Sequence, residues 1–262
     1  MLEYAFFRNA LLALLILSIG GGLLGSYIVT RRLVSISGGI THACFGGLGL
    51  GHFLGWSPVG MAMVFAIGSA LGVQWLSNRG SAREDSAIAV VWAAGMAIGV
   101  TFVFLTPGAV PELNAFLFGN ILMVTAFDIM MFGAFTVSLG VFYMLCFRKI
   151  MASAFDPDFM TVIGVRSALY NGVMMLFVAV GIVLMIRCVG IMLLMSLLTL
   201  PTLTAELFSK RMQTILPVAI LLSVIGSVGG LFTATIIDVP VSALIVAFQV
   251  AIYGLAFLFR KK

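Results

Sequence analysis

Charge is what this sequence most lacks. Its 262 residues include 14 Lys or Arg and 9 Asp or Glu, 9% charged against 62% hydrophobic, with a mean hydropathy of +1.23. A water-soluble domain covers itself with roughly 25–35% charged residues, so the solvent for this chain is lipid. Cysteine is scarce as well. Cys44, Cys146 and Cys188 are odd in number and lie in or beside apolar runs without paired spacing, which argues against a disulfide framework and for small packing residues. No G-x-x-x-x-G-K-[ST] pattern occurs, so the chain is not itself a P-loop ATPase, and any ATP is handled by a separate subunit. H-E-x-x-H and paired C-x-x-C motifs are missing too, and His42 and His52 assemble no Ser-His-Asp set. Basic residues come in ones, twos and threes between apolar runs, which fits orientation signals and not nucleic-acid binding. The first apolar run, from Ala10 to Val29, exceeds a signal-peptide core of about 7–15 residues and continues through Arg31 and Arg32 without a cleavage site, so it reads as a retained span.

What the sequence does have is long apolar stretches. A helix needs about 20 apolar residues to cross the hydrocarbon layer, and its backbone must bond internally there. Cutting at charges and turn signals predicts an all-α polytopic bundle of about eight to nine spans, approximately 10–30, 33–54, 59–76, 87–105, 121–147, 169–187, 189–208, 215–235 and 241–259. With no long linker and no internal repeat, residues 1–262 form one transmembrane domain. The connections divide the basic residues unequally. One side receives Arg31, Arg32, Arg79, Arg83, Arg148, Lys149, Arg166, Lys210, Arg211, Arg260, Lys261 and Lys262; the other receives only Arg8 and Arg187. The positive-inside rule then puts the N-terminus outside and the C-terminus in the cytoplasm.

Two connections stand out. The outer stretch 106–120 has two prolines and little charge, as in a partly re-entrant or interfacial segment. The inner stretch 148–167, RKIMASAFDPDFMTVIGVRS, is the longest cytoplasmic connection, and its Asp156-Pro157 pair can start a short helix. Such a helix is either a docking surface for a partner or an ordinary amphipathic connector.

Ionisable groups inside a bilayer are costly and tend to face a pathway. They are few: His42 and His52 in the second span, Asp128 near the start of the fifth, Glu206 near the inner end of the seventh, and Asp238 at the turn before the ninth. The second span is dense in glycine, which permits either close helix packing or a break. Within it His42 lies among Gly38, Gly39 and Gly46, near Thr41 and Cys44, and an imidazole suits zinc, copper, iron or nickel, and weakly manganese, whereas alkali ions prefer oxygen. In the seventh span Pro201, flanked by Thr199, Thr202 and Thr204, frees a backbone carbonyl one turn earlier; the threonines either satisfy it or line a polar path.

Five strings, in order, resemble the membrane subunits of bacterial ABC importers for zinc, manganese and iron. They are RRLVSISGGITHACFGGLGLG, REDSAIAVVWAAGMAIGV, FLFGNILMVTAFDI, AFDPDFMTVIGV and VGIMLLMSLLTLPTLTA, and the similarity covers nearly the whole chain. The resemblance implies a homodimeric permease of the cobalamin-importer-like type II architecture in the bacterial cytoplasmic membrane. It implies two ATPase subunits, an external metal-binding protein and, as cargo, a divalent zinc, manganese or iron ion, with no covalently bound cofactor. By the same carry-over His42, Thr41, Cys44, Gly38, Thr199, Thr202 and Glu206 belong to the metal path, and Phe155, Asp156, Pro157, Asp158, Phe159 and Gly164 to the ATPase-coupling segment. The chain departs from the family's pattern one turn before His42, where an aspartate is replaced by Gly38, and in the following turn, where Phe45 and Gly46 stand for a leucine-proline pair. That departure keeps a second reading open, a permease for a metal chelate or small organic nutrient. A secondary transporter would need coupled acidic residues within its spans, and the sequence offers almost none.

Overall fold

The computed structural model describes residues 3–78, 84–107, 116 and 119–259. Its elements are helices α1 (Ala5–Thr30), α2 (Val34–Phe53), α3 (Pro58–Asn78) and α4 (Glu84–Leu105), a 3-10 turn (Ile121–Met123), then α5 (Ala126–Phe155), α6 (Pro157–Val162), α7 (Ser167–Phe208), α8 (Met212–Ile237) and α9 (Val241–Leu258). No strand occurs among the described residues. Among the described residues seven helices are long and apolar enough to cross a membrane.

The sequence predicts two more spans than these seven helices, and α2 and α7 account for the difference. α2 has the length of a span, but its glycines, serines and histidines dilute its hydropathy. The sixth and seventh candidates are the two arms of α7, separated by non-helical backbone at Gly190 (φ 72°, ψ 176°), next to the boundary predicted at 187–189. Arg187 stands in the last turn before this break, paired with Asp128. The outer stretch read as re-entrant falls mostly outside the described residues, as do Arg79, Arg83, Arg260, Lys261 and Lys262.

The chain forms two compact units. The first comprises Met1–Thr30, Glu112–Leu145 and Leu184–Lys262; the second comprises Arg31–Pro111 and Cys146–Val183.

In the first unit α1 is the central post, with 78% of its apolar stretch buried. Lipid tails are as apolar as leucine, so helices in a membrane associate through close packing, and small residues make that possible. α1 carries four glycines for this purpose, and they meet three neighbouring helices. A Cβ on Gly20 would come within 2.8 Å of Thr136 Oγ1 of α5, and one on Gly22 within 2.5 Å of Ile220 of α8. One on Gly21 would touch Met185 at 3.4 Å, and one on Gly25 would strike the Leu198 carbonyl of α7. Hydrogen bonds fix the register: the Tyr143 hydroxyl donates to the Leu23 carbonyl at 2.9 Å, and Ser18 donates to Ser227 at 3.3 Å. α8 and α9 interlock the same way, with the buried Gln249 amide seated over Gly226 and donating to the Ser223 carbonyl at 3.3 Å.

In the second unit α2 packs against α3 and α4. The contact is backbone on backbone. Cβ atoms on Gly46 and Gly49 would lie 2.8 Å and 2.7 Å from the carbonyls of Gly95 and Gly99, while one on Gly47 would lie 2.5 Å from that of Met61. Over this stretch the glycines of α2 leave no side chain between its backbone and those of its neighbours, which explains its glycine density by packing. Ser35 donates to Asp85 at 3.3 Å and ties the first turns of α2 and α4 together.

Candidate functional site

His42 lies in the middle of α2 and is half-buried. Its imidazole stacks on the Trp92 indole, with ring centroids 4.5 Å apart and planes 20° from parallel, and its Nδ1 lies 2.9 Å from Met96 Sδ. Trp92 and Met96 are four residues apart on α4, so helical spacing brings both to one face. Gly95 lies between them in sequence and has no side chain to hold α2 away: its Cβ would stand 2.6 Å from the His42 carbonyl. Imidazole, indole and thioether thus meet because Gly95 lets the two backbones close.

Gly38 belongs to the same face, one turn before His42. A Cβ there would lie 2.8 Å from Trp92 Cζ3 and 3.2 Å from Cη2. The indole occupies the volume that a larger side chain at position 38 would need. Thr41 and Cys44, the other candidates on α2, do not join the cluster. Thr41 is fully buried and donates to the Ser37 carbonyl at 2.6 Å; Cys44 is buried two residues from His42, where helical geometry turns it to another face. Among the described residues no group of three or more His, Cys, Asp or Glu side chains is arranged to hold a metal ion. Sequence spacing gave no reason to single out Trp92 or Met96, since an aromatic and a methionine on an apolar helix look like any other lipid-facing pair.

Thr199, Thr202 and Glu206 belong to the first unit, on the arm of α7 that follows Gly190. Thr199 is half-buried and returns its hydroxyl to the Met195 carbonyl at 2.7 Å, as Thr204 does to Leu200. Thr202 is buried against Gly25, with its hydroxyl 3.1 Å from where a Cβ there would be, and Glu206 is half-buried. Pro201 removes the bond that the Leu197 carbonyl would otherwise accept, and Gly21 lets α1 approach that carbonyl, to 3.6 Å from its own ideal Cβ.

The break at Gly190 is held from outside α7. Gly119, itself at φ 61°, lies so close that a Cβ would strike the Val189 carbonyl. Two glycines with positive φ thus meet backbone to backbone, a conformation that other residues resist. Three residues before Gly190, Arg187 Nε pairs with Asp128 Oδ1 at 2.7 Å. Asp128 also closes the first turn of α5: its Oδ2 accepts from the Thr125 hydroxyl at 2.6 Å and N–H at 3.2 Å, and its own N–H donates to the Thr125 hydroxyl.

In the second unit, the segment after α5 folds as its residues imply. Asp156 caps α6 by accepting from the Phe159 N–H at 2.9 Å, and Pro157 occupies the first turn, where a missing N–H is harmless. Gly164, at φ 79°, ends the helix: its N–H and that of Val165 donate to the carbonyls of Thr161 and Met160. Met160 is buried beneath, while Phe155, Phe159, Val162 and Ile163 are exposed. α6 presents an apolar knob edged by Asp156 and Asp158. Its base is anchored where the Asn171 amide donates to the Ser153 carbonyl at 3.2 Å, and Lys149 lies 5.7 Å over the Tyr170 ring.

Residues 3–260 match the ABC 3 transport family. A protein of Chlamydia pneumoniae named a probable metal transport system membrane protein is 37% identical over 236 residues, covering 88% of this chain and 80% of that one. The manganese transport system membrane protein MntC of Halalkalibacterium halodurans is 29% identical over 266 residues, covering 100% and 90%. Among solved structures, PsaBC from Streptococcus pneumoniae in complex with Fab aligns with a TM-score of 0.86 at 23% identity, over 100% of this chain and 94% of that one. At that identity the likeness is one of fold.

Proposed function

Because this chain belongs to the ABC 3 transport family, we propose that it is the membrane-spanning subunit of an importer that carries a transition-metal ion, zinc, manganese or iron, across the bacterial cytoplasmic membrane. The observation that carries this reading is the family match along residues 3–260, joined by the metal and manganese named for two relatives that it spans at 80% and 90% of their length. ATP is hydrolysed by two separate subunits, an external binding protein delivers the ion, and two copies of this chain form the permease.

The mechanism is alternating access. Nucleotide on the motor subunits stabilises one of two states of the permease more than the other, and that difference, not tight cargo binding, drives the cycle. The exposed apolar knob of α6, with Phe155, Phe159 and Val162, supports a role as the surface the motor pushes, since a capped and anchored short helix transmits displacement better than a loop. On the ion's side, His42 is a single imidazole, weak enough to release what it binds. Thr199, Thr202 and Glu206 are the polar groups that the first unit offers the ion, and in the second unit Gly38 leaves room beside His42 for its neighbours on α4.

Co-expression with the cognate ATPase, purification in mild detergent and reconstitution test this directly. ATP-dependent uptake of a divalent transition metal that falls on His42→Ala is the expected result. Uptake that proceeds without any ATPase, or a chain that never copurifies with one through residues 148–167, would overturn it.

A further inference from the structure

We propose that Met96 and Trp92 set the cargo preference at His42, making it a station for nitrogen- and sulfur-seeking cations, zinc or copper(I), and a poor one for manganese. The inference rests on the reading that His42 lies on the ion path, and it concerns residues for which that reading gave no role. The two donor atoms brought together are an imidazole nitrogen and a thioether sulfur, 2.9 Å apart. Both are neutral. Thioether ligands favour soft cations and imidazole suits zinc and copper, whereas manganese is held by carboxylate, carbonyl and water oxygens.

The turn that could have supplied a carboxylate is closed. At Gly38 a Cβ alone would come within 2.8 Å of the Trp92 ring, so an acidic side chain and the indole cannot share that space. Trp92 therefore excludes the hard oxygen donor and adds a softer contact. That contact is the imidazole itself, stacked on the indole with centroids 4.5 Å apart and planes 20° from parallel, which fixes the orientation in which Nδ1 meets Met96. Metal–ligand bonds of ordinary length at a tetrahedral angle separate nitrogen and sulfur by about 3.5 Å. Opening the pair from 2.9 Å to that distance takes a small rotation of Met96, whose unbranched chain supplies it.

The full-length chain, purified in detergent with Cys146 replaced by serine to remove its only half-exposed thiol, is titrated with zinc and with copper(I) against chromophoric chelators and with manganese by electron paramagnetic resonance. The wild-type order is expected to place zinc or copper(I) ahead of manganese, and whichever of the two binds more tightly identifies the ion within the class. Met96→Leu, which keeps volume and apolarity, is expected to narrow that lead, most for copper(I), because the imidazole alone still ranks manganese last. In parallel, the Met96 methyl resonance of ¹³C-methionine-labelled protein should shift when zinc or copper(I) is added, a readout that needs no variant to bind. Unchanged ratios of zinc and copper(I) affinity to manganese affinity in Met96→Leu, a Met96 methyl that ignores both ions, or tighter binding of manganese by the wild type overturns the proposal. His42→Ala separates it from its premise. If that variant loses all three ions while Met96→Leu changes nothing, only the assignment of Met96 fails; if His42→Ala leaves binding and uptake intact, the path through His42 fails and takes this inference with it.

Discussion

Replacing Gly95 by alanine is the sharpest test of how α2 and α4 are joined. The added methyl would stand 2.6 Å from Ala43 Cα, 2.6 Å from the His42 carbonyl and 2.7 Å from the Ala43 nitrogen. All three are backbone atoms of a regular helix, so none can swing aside, and the two helices must separate along their contact. Overpacking costs up to about 3 kcal/mol, here about 2–3 because backbone atoms are struck, and the gain in helix propensity returns about 1 kcal/mol, leaving a net loss of roughly 1–2 kcal/mol. Gly140 of α5 provides the control, because a Cβ there meets nothing within 4 Å. The same chemical change at that position keeps only the propensity gain. In a chain of this size 1 kcal/mol corresponds to roughly 2–4 °C in melting temperature. Thermal unfolding of the two variants in one detergent should therefore show Gly95→Ala lower than wild type by about 2–8 °C and Gly140→Ala unchanged or higher by up to about 4 °C. Equal melting temperatures for the two variants would refute the backbone-to-backbone contact, and with it the reason His42 meets Trp92 and Met96.

Three further expectations follow from single contacts. Gly190→Ala forces a side chain into φ 72° at the break in α7, a strain of about 1–3 kcal/mol, visible as a lower melting temperature while Gly254→Ala, in open space, shows none. Arg187→Gln leaves the Asp128 carboxylate without its cation; Arg187 is 40% exposed, so the loss should be about 1–2 kcal/mol, below that of a fully buried pair, and Asp128→Asn in the same chain should recover part of it. Asp156→Ala removes the cap of α6 at about 0.5–2 kcal/mol local to that helix, so the permease should melt as before but retain less ATPase in a copurification assay.

The sequence disclosed what depends on local chemistry. α6 was legible because its start and stop are written within ten residues: an Asp-Pro cap at 156–157 and a glycine at 164. Most spans were legible for the same reason, since apolar length alone decides what can sit in lipid. Arg187 rightly marked the end of an arm of α7, three residues before the break at Gly190, but its partner Asp128 is far away in the chain and was not legible. Likewise His42 was visible as a lone imidazole, but its surroundings were not. Met96 and Trp92 carry no sign of their role until Gly95 brings α4 against α2, and the helical spacing that joins them to each other says nothing of the helix they face. The same limit applied to Cys44, adjacent in sequence and turned away in space.

The glycines of α2 do two different jobs, and this has a consequence for how the site can change. Gly46, Gly47 and Gly49 meet backbone atoms of α3 and α4, whereas Gly38 and Gly39 meet only or chiefly side chains, Trp92 and Ile88. A clash with backbone cannot be relieved by changing another residue, but a clash with an indole can. Gly38→Ala alone should destabilise the chain by about 1–2 kcal/mol, and in a Trp92→Ala background it should be neutral or stabilising, giving a coupling between the two positions of about 1–3 kcal/mol. No substitution at position 95 can rescue Gly46→Ala in the same way, because the obstacle there is the Gly95 carbonyl itself. Ligand choice one turn before His42 is thus separable from helix assembly one turn after it. If unfolding measurements on the four-member cycle at positions 38 and 92 give no coupling, the two do not share space and the exclusion of a carboxylate by Trp92 is wrong.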